Sequence, residues 1–281
     1  MPAYPYSICY RGQYNKDFNC ITAVSMDAGF DQVSSFTAVE GVTSDLYNGI
    51  KVDHGSRYIE QVELTLTLIK KDYTSFEDFE KRQMLRWLSS SKYCSWLNLY
   101  DEYEEPIADV YGRFTSIEEK IVDSRVLGFV VTFTSPYPYF FSNMREIQQT
   151  FVGLEKITLE NDTDELDALV RPYVVIKSKS AIPELTILNK TTNRKSVIKN
   201  IKMDETITID NENKLIFSDN IYRIIGSDFC GVVDGDFVTS YPVWVELVPG
   251  HNELVIDAGE TSSEIEYQMK YRYPIKLGST F

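Results

Sequence analysis

The sequence predicts a mainly β protein in two domains: an N-terminal β-rich domain with one amphipathic α-helix at residues 1–145, then an antiparallel β-sandwich at 146–281. Three observations carry this. Residues 61–69 alternate apolar and polar with a period of two, residues 76–88 carry a helical pattern, and the second half is a run of short strand-like segments without a helix of useful length. A chain of 281 residues holds two domains at about 100–200 residues each.

Gly12, Gly29, Gly41, Gly49 and Gly55 punctuate the opening into short, turn-bounded segments. In 61–69 (QVELTLTLI), Val62, Leu64, Leu66 and Leu68 point one way and Glu63, Thr65 and Thr67 the other. One face is therefore buried, and a one-residue slip would bury the polar set instead. A helix follows, with Thr74 and Glu77, or Ser75 and Asp78, offered as its capping box. Phe76, Phe79, Met84, Trp87 and Leu88 are assigned to one broad apolar side up to about Ser89. The β pattern returns at 94–100, turns near Glu104-Glu105-Pro106, and continues at 107–111, 113–121 and 124–134. Between Pro136 and Gly153 periodicity is lost and two prolines stand two residues apart, which marks the domain boundary. Beyond it, strands are expected at 171–176, 184–188, 196–201, 206–209, 214–218, 241–248, 253–257 and 265–273, with 210–213 (DNEN) as a hairpin turn. Ile265, Tyr267, Met269, Tyr271 and Tyr273 form one face of the last strand and require cover.

Charge narrows the function. There are 28 Lys and Arg against 42 Asp and Glu, a formal charge of −14. That surplus repels phosphate backbones, and no basic run interrupts it, so neither specific nucleic-acid binding nor membrane insertion is expected. The longest apolar run, 126–133 (VLGFVVTF), is far shorter than the roughly 20 residues of a membrane span and suits a buried strand. Residues 1–12 lack the basic start and apolar core of a signal peptide, so a soluble, non-secreted chain is expected.

The search for reactive groups is empty. Cys9, Cys20, Cys94 and Cys230 form no CxxC pair and have no His at ligand spacing, which favours reduced, buried thiols over zinc or thioredoxin-like chemistry. GxSxG, GxxxxGK[ST], HExxH and GxGxxG are absent. His54 and His251 lack a nucleophile setting, and His251, after Pro249-Gly250, reads as a turn residue. The acidic stretches 101–105, 162–165 and 234–236 could hide a carboxylate pair, and 210–213 a calcium loop, but the last lacks the loop's Gly and Glu, and acidic turns usually stay solvated. No catalytic, cofactor-binding or metal residue is assigned. Trp244, beside Glu246 on the polar side of 241–248, could stack on a sugar; packing under a loop or a second sheet is the favoured reading.

Strand 61–69, helix 76–88 ending in Leu85-Arg86-Trp87-Leu88, Trp96-Leu97-Asn98-Leu99, and Tyr111-Gly112-Arg113 before a long strand follow one another in the first half. The second half brings 193–201 (NRKSVIKNI), 205–210 (ETITID), 214–217 and 242–256 (PVWVELVPGHNELVI). In that order, across nearly the whole chain, they resemble the distal tail proteins of tailed bacteriophages, chiefly long-tailed siphophages. The resemblance implies a non-enzymatic hub without cofactor: an N-terminal belt domain that closes a ring of six copies, and a C-terminal galectin-like β-sandwich that projects outward. It implies the tail tube protein and the tail-associated hub protein as partners, with receptor-binding or other baseplate proteins on the outer domain. The location implied is the virion tail tip, assembled in the host cytoplasm. A negative lumen would suit a ring that DNA traverses. The resemblance carries over no sugar-binding residues, and it leaves open whether Pro274-Ile275-Lys276-Leu277 stays on the sandwich or reaches the belt. A carbohydrate-binding protein recognising bacterial cell-surface glycans is the alternative, and a glycan hydrolase using Asp/Glu pairs the third.

Overall fold

The alternating segment forms the strand Glu63–Lys70, with Leu64, Leu66 and Leu68 buried as its period requires. It belongs to a computed structural model that describes residues 5–23, 39–45, 51–58, 61–90, 92–233, 237–239, 241–259 and 264–276. The chain divides into two units, Met1–Asn143 with Ile275–Phe281, and Met144–Pro274.

In the first unit the main sheet runs Gln13–Tyr14, Ser7–Tyr10, Ser95–Tyr100, Pro106–Val122, Arg125–Thr134, Glu63–Lys70, Cys20–Ala23 in spatial order. Pro106–Val122 is one strand where the sequence suggested two. Its first part pairs with Ser95–Tyr100 and its second with Arg125–Thr134. Gly112 lies at the changeover, and a Cβ there would stand 2.3 Å from the Thr134 carbonyl oxygen, so only glycine allows this approach. Asp123 and Ser124, both at positive φ (48° and 63°), make the tight turn into Arg125–Thr134. Of the punctuating glycines, Gly12 does sit in a turn, whereas Gly41 and Gly55 lie inside the strands Val39–Asp45 and Lys51–Tyr58; Gly29 and Gly49 fall outside the described residues.

The helix spans Asp78–Ser89 and begins later than the expected boxes. Asp72 captures both the N–H (3.0 Å) and the hydroxyl (2.7 Å) of Thr74 in a local turn, which removes Thr74 as a cap. Glu77 takes the capping position instead, its N–H donating to Glu80 Oε2 at 2.8 Å. Met84, Trp87 and Leu88, with Phe76 just before the helix, enter the core around Leu66, Leu97, Phe129 and Phe133. Phe79 does not: it is 69% exposed. Five residues from Met84 is a rotation of about 140°, which puts it on the opposite side of the helix. On the sheet's other face, Trp96, Tyr111, Tyr137, Tyr139 and Phe141 pack ring against ring, which is why 136–141 shows no strand period.

The second unit holds two antiparallel sheets. One runs Arg145–Val152, Glu264–Tyr271, Tyr173–Ser178, Thr206–Asp210, Leu215–Ser218; the other Leu154–Asn161, Gly250–Asp257, Ile182–Asn189, Arg194–Ile201, Phe229–Val233, Phe237–Thr239. Each turns an apolar row inward, and Ile265, Tyr267, Met269, Tyr271 and Tyr273 are all buried, so the aromatic face has its cover. The hairpin at 210–213 is present, with Asp210 Oδ1 accepting the Asn213 N–H at 3.0 Å. Arg145–Val152 was not expected because it is an edge strand whose few apolar residues, Ile147, Phe151 and Val152, are split over both faces without clean alternation.

Residues 241–248 are not a strand. Val243, Val245 and Leu247 are buried as alternation demands, but among the described residues the pairing is a single bridge from Leu247 to Val170. Buried asparagines supply the missing partners. Asn211 Oδ1 accepts the Val245 N–H (2.8 Å), Asn189 Nδ2 donates to Glu246 O (2.7 Å) and Asn161 Nδ2 to Leu247 O (3.2 Å). Asn252 Oδ1 accepts the Val248 N–H at 3.0 Å and its Nδ2 donates to Val248 O at 2.8 Å. The segment is extended and satisfied without a ladder.

Candidate assembly surfaces

Both histidines and Asp101 have local partners. His54 is exposed on Lys51–Tyr58, its Nε2 2.6 Å from Ser44 Oγ. His251 is in the strand Gly250–Asp257 and not in a turn, because Gly250, at φ 84°, makes the turn and the ladder starts there; its Nδ1 lies 2.7 Å from Glu160 Oε1. Asp101 shapes its own turn by accepting the N–H groups of Tyr103 and Glu105, both at 2.8 Å. Residues 234–236 fall outside the described residues. Among the described residues no three His, Cys, Asp or Glu are placed to hold a metal ion, and no helix is long and apolar enough to cross a membrane. Cys9 and Cys20 are buried, and burial pushes the Cys20 thiol up to about 12; Cys94 and Cys230 are only half-buried, contrary to expectation. Trp244 is half-buried.

Among the described residues, three surfaces stand out. In the second unit, Leu215 and Phe217 are exposed on the edge strand Leu215–Ser218, followed by Ile221, Tyr222 and Ile224 at 84%, 84% and 67% exposure. That loop is not loose. The Arg223 side chain, 1% exposed, grips the equally buried Glu205 side chain through Nε and through Nη2 (2.6 Å to Oε2). It also donates to Lys199 O at 2.8 Å and Asn200 O at 3.1 Å. Burial pulls the Glu205 carboxyl upward, but Arg223, the Lys202 N–H and the Ser218 hydroxyl outweigh it and hold the group at about 2. A buried ion pair thus fixes a loop that turns apolar side chains to water, the usual mark of a protein–protein surface.

In the first unit, the hairpin formed by Pro106–Val122 and Arg125–Thr134 runs past its neighbour Glu63–Lys70, whose pairing stops at Gly128. Ile121 and Val122 are exposed at its tip. A cleft of about 450 Å³ opens between the Arg11-Gly12 turn and the second half of the helix, lined by Arg11, Gln13, Phe18, Gln83, Arg86 and Trp87. Arg11 stands at φ 55° and its Nη1 donates to Ser90 Oγ at 3.1 Å. Phe18 and Trp87 stack with ring centroids 4.8 Å apart, and the Trp87 N–H donates to Tyr10 O at 3.0 Å. The sequence shows no basic run, and the fold makes this site by joining residues 79 positions apart, as Arg11 and Ser90 are. The one local signal was arginine in a turn position that suits asparagine or glycine.

Comparison with known proteins agrees with this architecture. Two family models match: "Phage tail protein N-terminal domain" over residues 6–135 and "Phage tail C-terminal domain" over residues 139–232. No curated protein matches. Among solved structures, the Dit (gp 19.1) protein of phage SPP1, described as a hub adsorption apparatus in phages infecting Gram-positive bacteria, is similar with a TM-score of 0.58 at 13% identity, over 96% of this chain and 98% of that one. A chain of the phage P2 baseplate in its activated, calcium-bound conformation gives 0.46 at 10% identity, over 95% and 97%. The chain belongs to the phage tail proteins that these two domain models describe, and it has the fold of a distal tail protein.

Proposed function

We propose that this phage tail protein is a structural hub of the tail tip: six copies close a ring through the first unit, and the ring joins the tail tube protein to the tail-associated hub protein. The second unit is the galectin-like outer domain, and its apolar loop at Ile221, Tyr222 and Ile224 is the surface for receptor-binding or other baseplate proteins. Assembly takes place in the host cytoplasm and the protein ends in the virion. It has no catalytic role.

One observation carries this reading: phage tail domain models match both halves in chain order, and a distal tail fold accounts for 96% of the chain. The exposed apolar surfaces on a chain with a charge of −14 accord with a protein whose cover comes from neighbours. The acidity also suits a channel through which DNA passes without sticking. Light scattering on the purified chain should give six times 32.4 kDa, about 194 kDa. Negative-stain images should show a six-fold ring with outward lobes. A chain that stays monomeric at high concentration contradicts the ring.

A further inference from the structure

We propose that the cleft between the Arg11-Gly12 turn and the helix is a receptor for an acidic peptide segment of a protein partner, taking a carboxylate between Arg11 and Arg86 and a neighbouring apolar side chain against Phe18 and Trp87. This goes beyond the hub reading and does not depend on the ring.

The charges around the helix are sorted in a telling way. Lys70 has Glu80 at 2.8 Å and Lys81 has Asp78 at 2.6 Å. Arg11 and Arg86 have no carboxylate within ion-pair distance among the described residues, although acids outnumber bases by 14 along the chain. Two guanidinium groups lining one cleft repel each other unless an anion lies between them. Each offers a planar fork matched to a carboxylate, and Arg11 spends one N–H on Ser90, so its other donors remain for a ligand. Its backbone is fixed in a two-residue turn beside Gly12 at φ 76°, which presents the side chain from a rigid support.

The rest of the lining selects a peptide. Half-buried Phe18, stacked on the buried Trp87 ring whose N–H is already used on Tyr10, is the apolar wall. Gln13 and Gln83 supply amide donors and acceptors suited to a peptide backbone. The cleft, at about 450 Å³, is large enough for a few side chains. A polyphosphate chain fits poorly: it meets only two cationic groups here, and the field of the remaining acidic surface opposes it.

The test uses the full chain and a fluorescein-labelled peptide of residues 100–106 (YDEYEEP), whose carboxylates flank an aromatic ring, against the neutral counterpart YNQYQQP, read by anisotropy. The acidic peptide should bind at least about tenfold more tightly, and R11Q/R86Q should abolish that difference while circular dichroism and melting stay unchanged. R11K/R86K, which keeps charge but loses the forks, should fall between, and it serves if the glutamine variant fails to fold. Equal binding of both peptides, indifference to the arginine changes, or displacement of the acidic peptide by inorganic phosphate or an oligothymidylate at lower concentration than by unlabelled peptide would each overturn the proposal.

Discussion

Asn252 is fully buried, and its amide closes a ring of bonds to Val248 and, at 3.0 Å, to Gly250 O. Replacement by alanine strands those backbone groups in the core, and N252A should lose about 1–3 kcal/mol, measured as a lower urea midpoint. Glu205 gives a pH signature. Its folded value, about 2, lies below the ordinary 4.5, so the carboxylate's contribution is complete above pH 4.5 and drains away as pH falls toward 2. Stability of the second unit should therefore drop by about 3 kcal/mol across that window. E205Q should flatten the drop and, by leaving Arg223 buried without its counter-charge, cost about 3–5 kcal/mol at neutral pH. Little of this was visible in sequence: Asn161, Asn189, Asn211 and Asn252 look like loop residues, and nothing in local spacing reveals which backbone they will serve.

Among the elements, the long strand Pro106–Val122 depends on Gly112 to pass from one neighbour to the next. G112A must push against the Thr134 carbonyl and, at 2.8 Å, the Phe133 ring, so it should destabilise the first unit by about 1–3 kcal/mol in thermal unfolding. Elements with one wet face were legible, Glu63–Lys70 and Glu264–Tyr271 above all, because the buried rows repeat every second residue. Those that failed did so for identifiable reasons. Arg145–Val152 splits its few apolar residues over both faces, 241–248 has strand alternation but asparagine partners, and Asp72 took over the residue expected to cap the helix. The arginine cleft was illegible because its walls come from the turn after Tyr10 and from the helix, far apart in the chain.

For the whole molecule, the fold class followed from periodicity, whereas the family emerged from the order of motifs along the chain. The final segment was the open point, and Ile275 packs against the core of the first unit, where Phe140 is also buried. I275A should lower the first unit's stability by about 1–2 kcal/mol and leave the second unit's resistance to limited proteolysis unchanged. The chain leaves the first core after Asn143 and rejoins it at Ile275, so Met144–Pro274 is an excursion with both of its ends tethered to one core. Everything between the two tethers can be exchanged as a cassette without removing a single residue of that core.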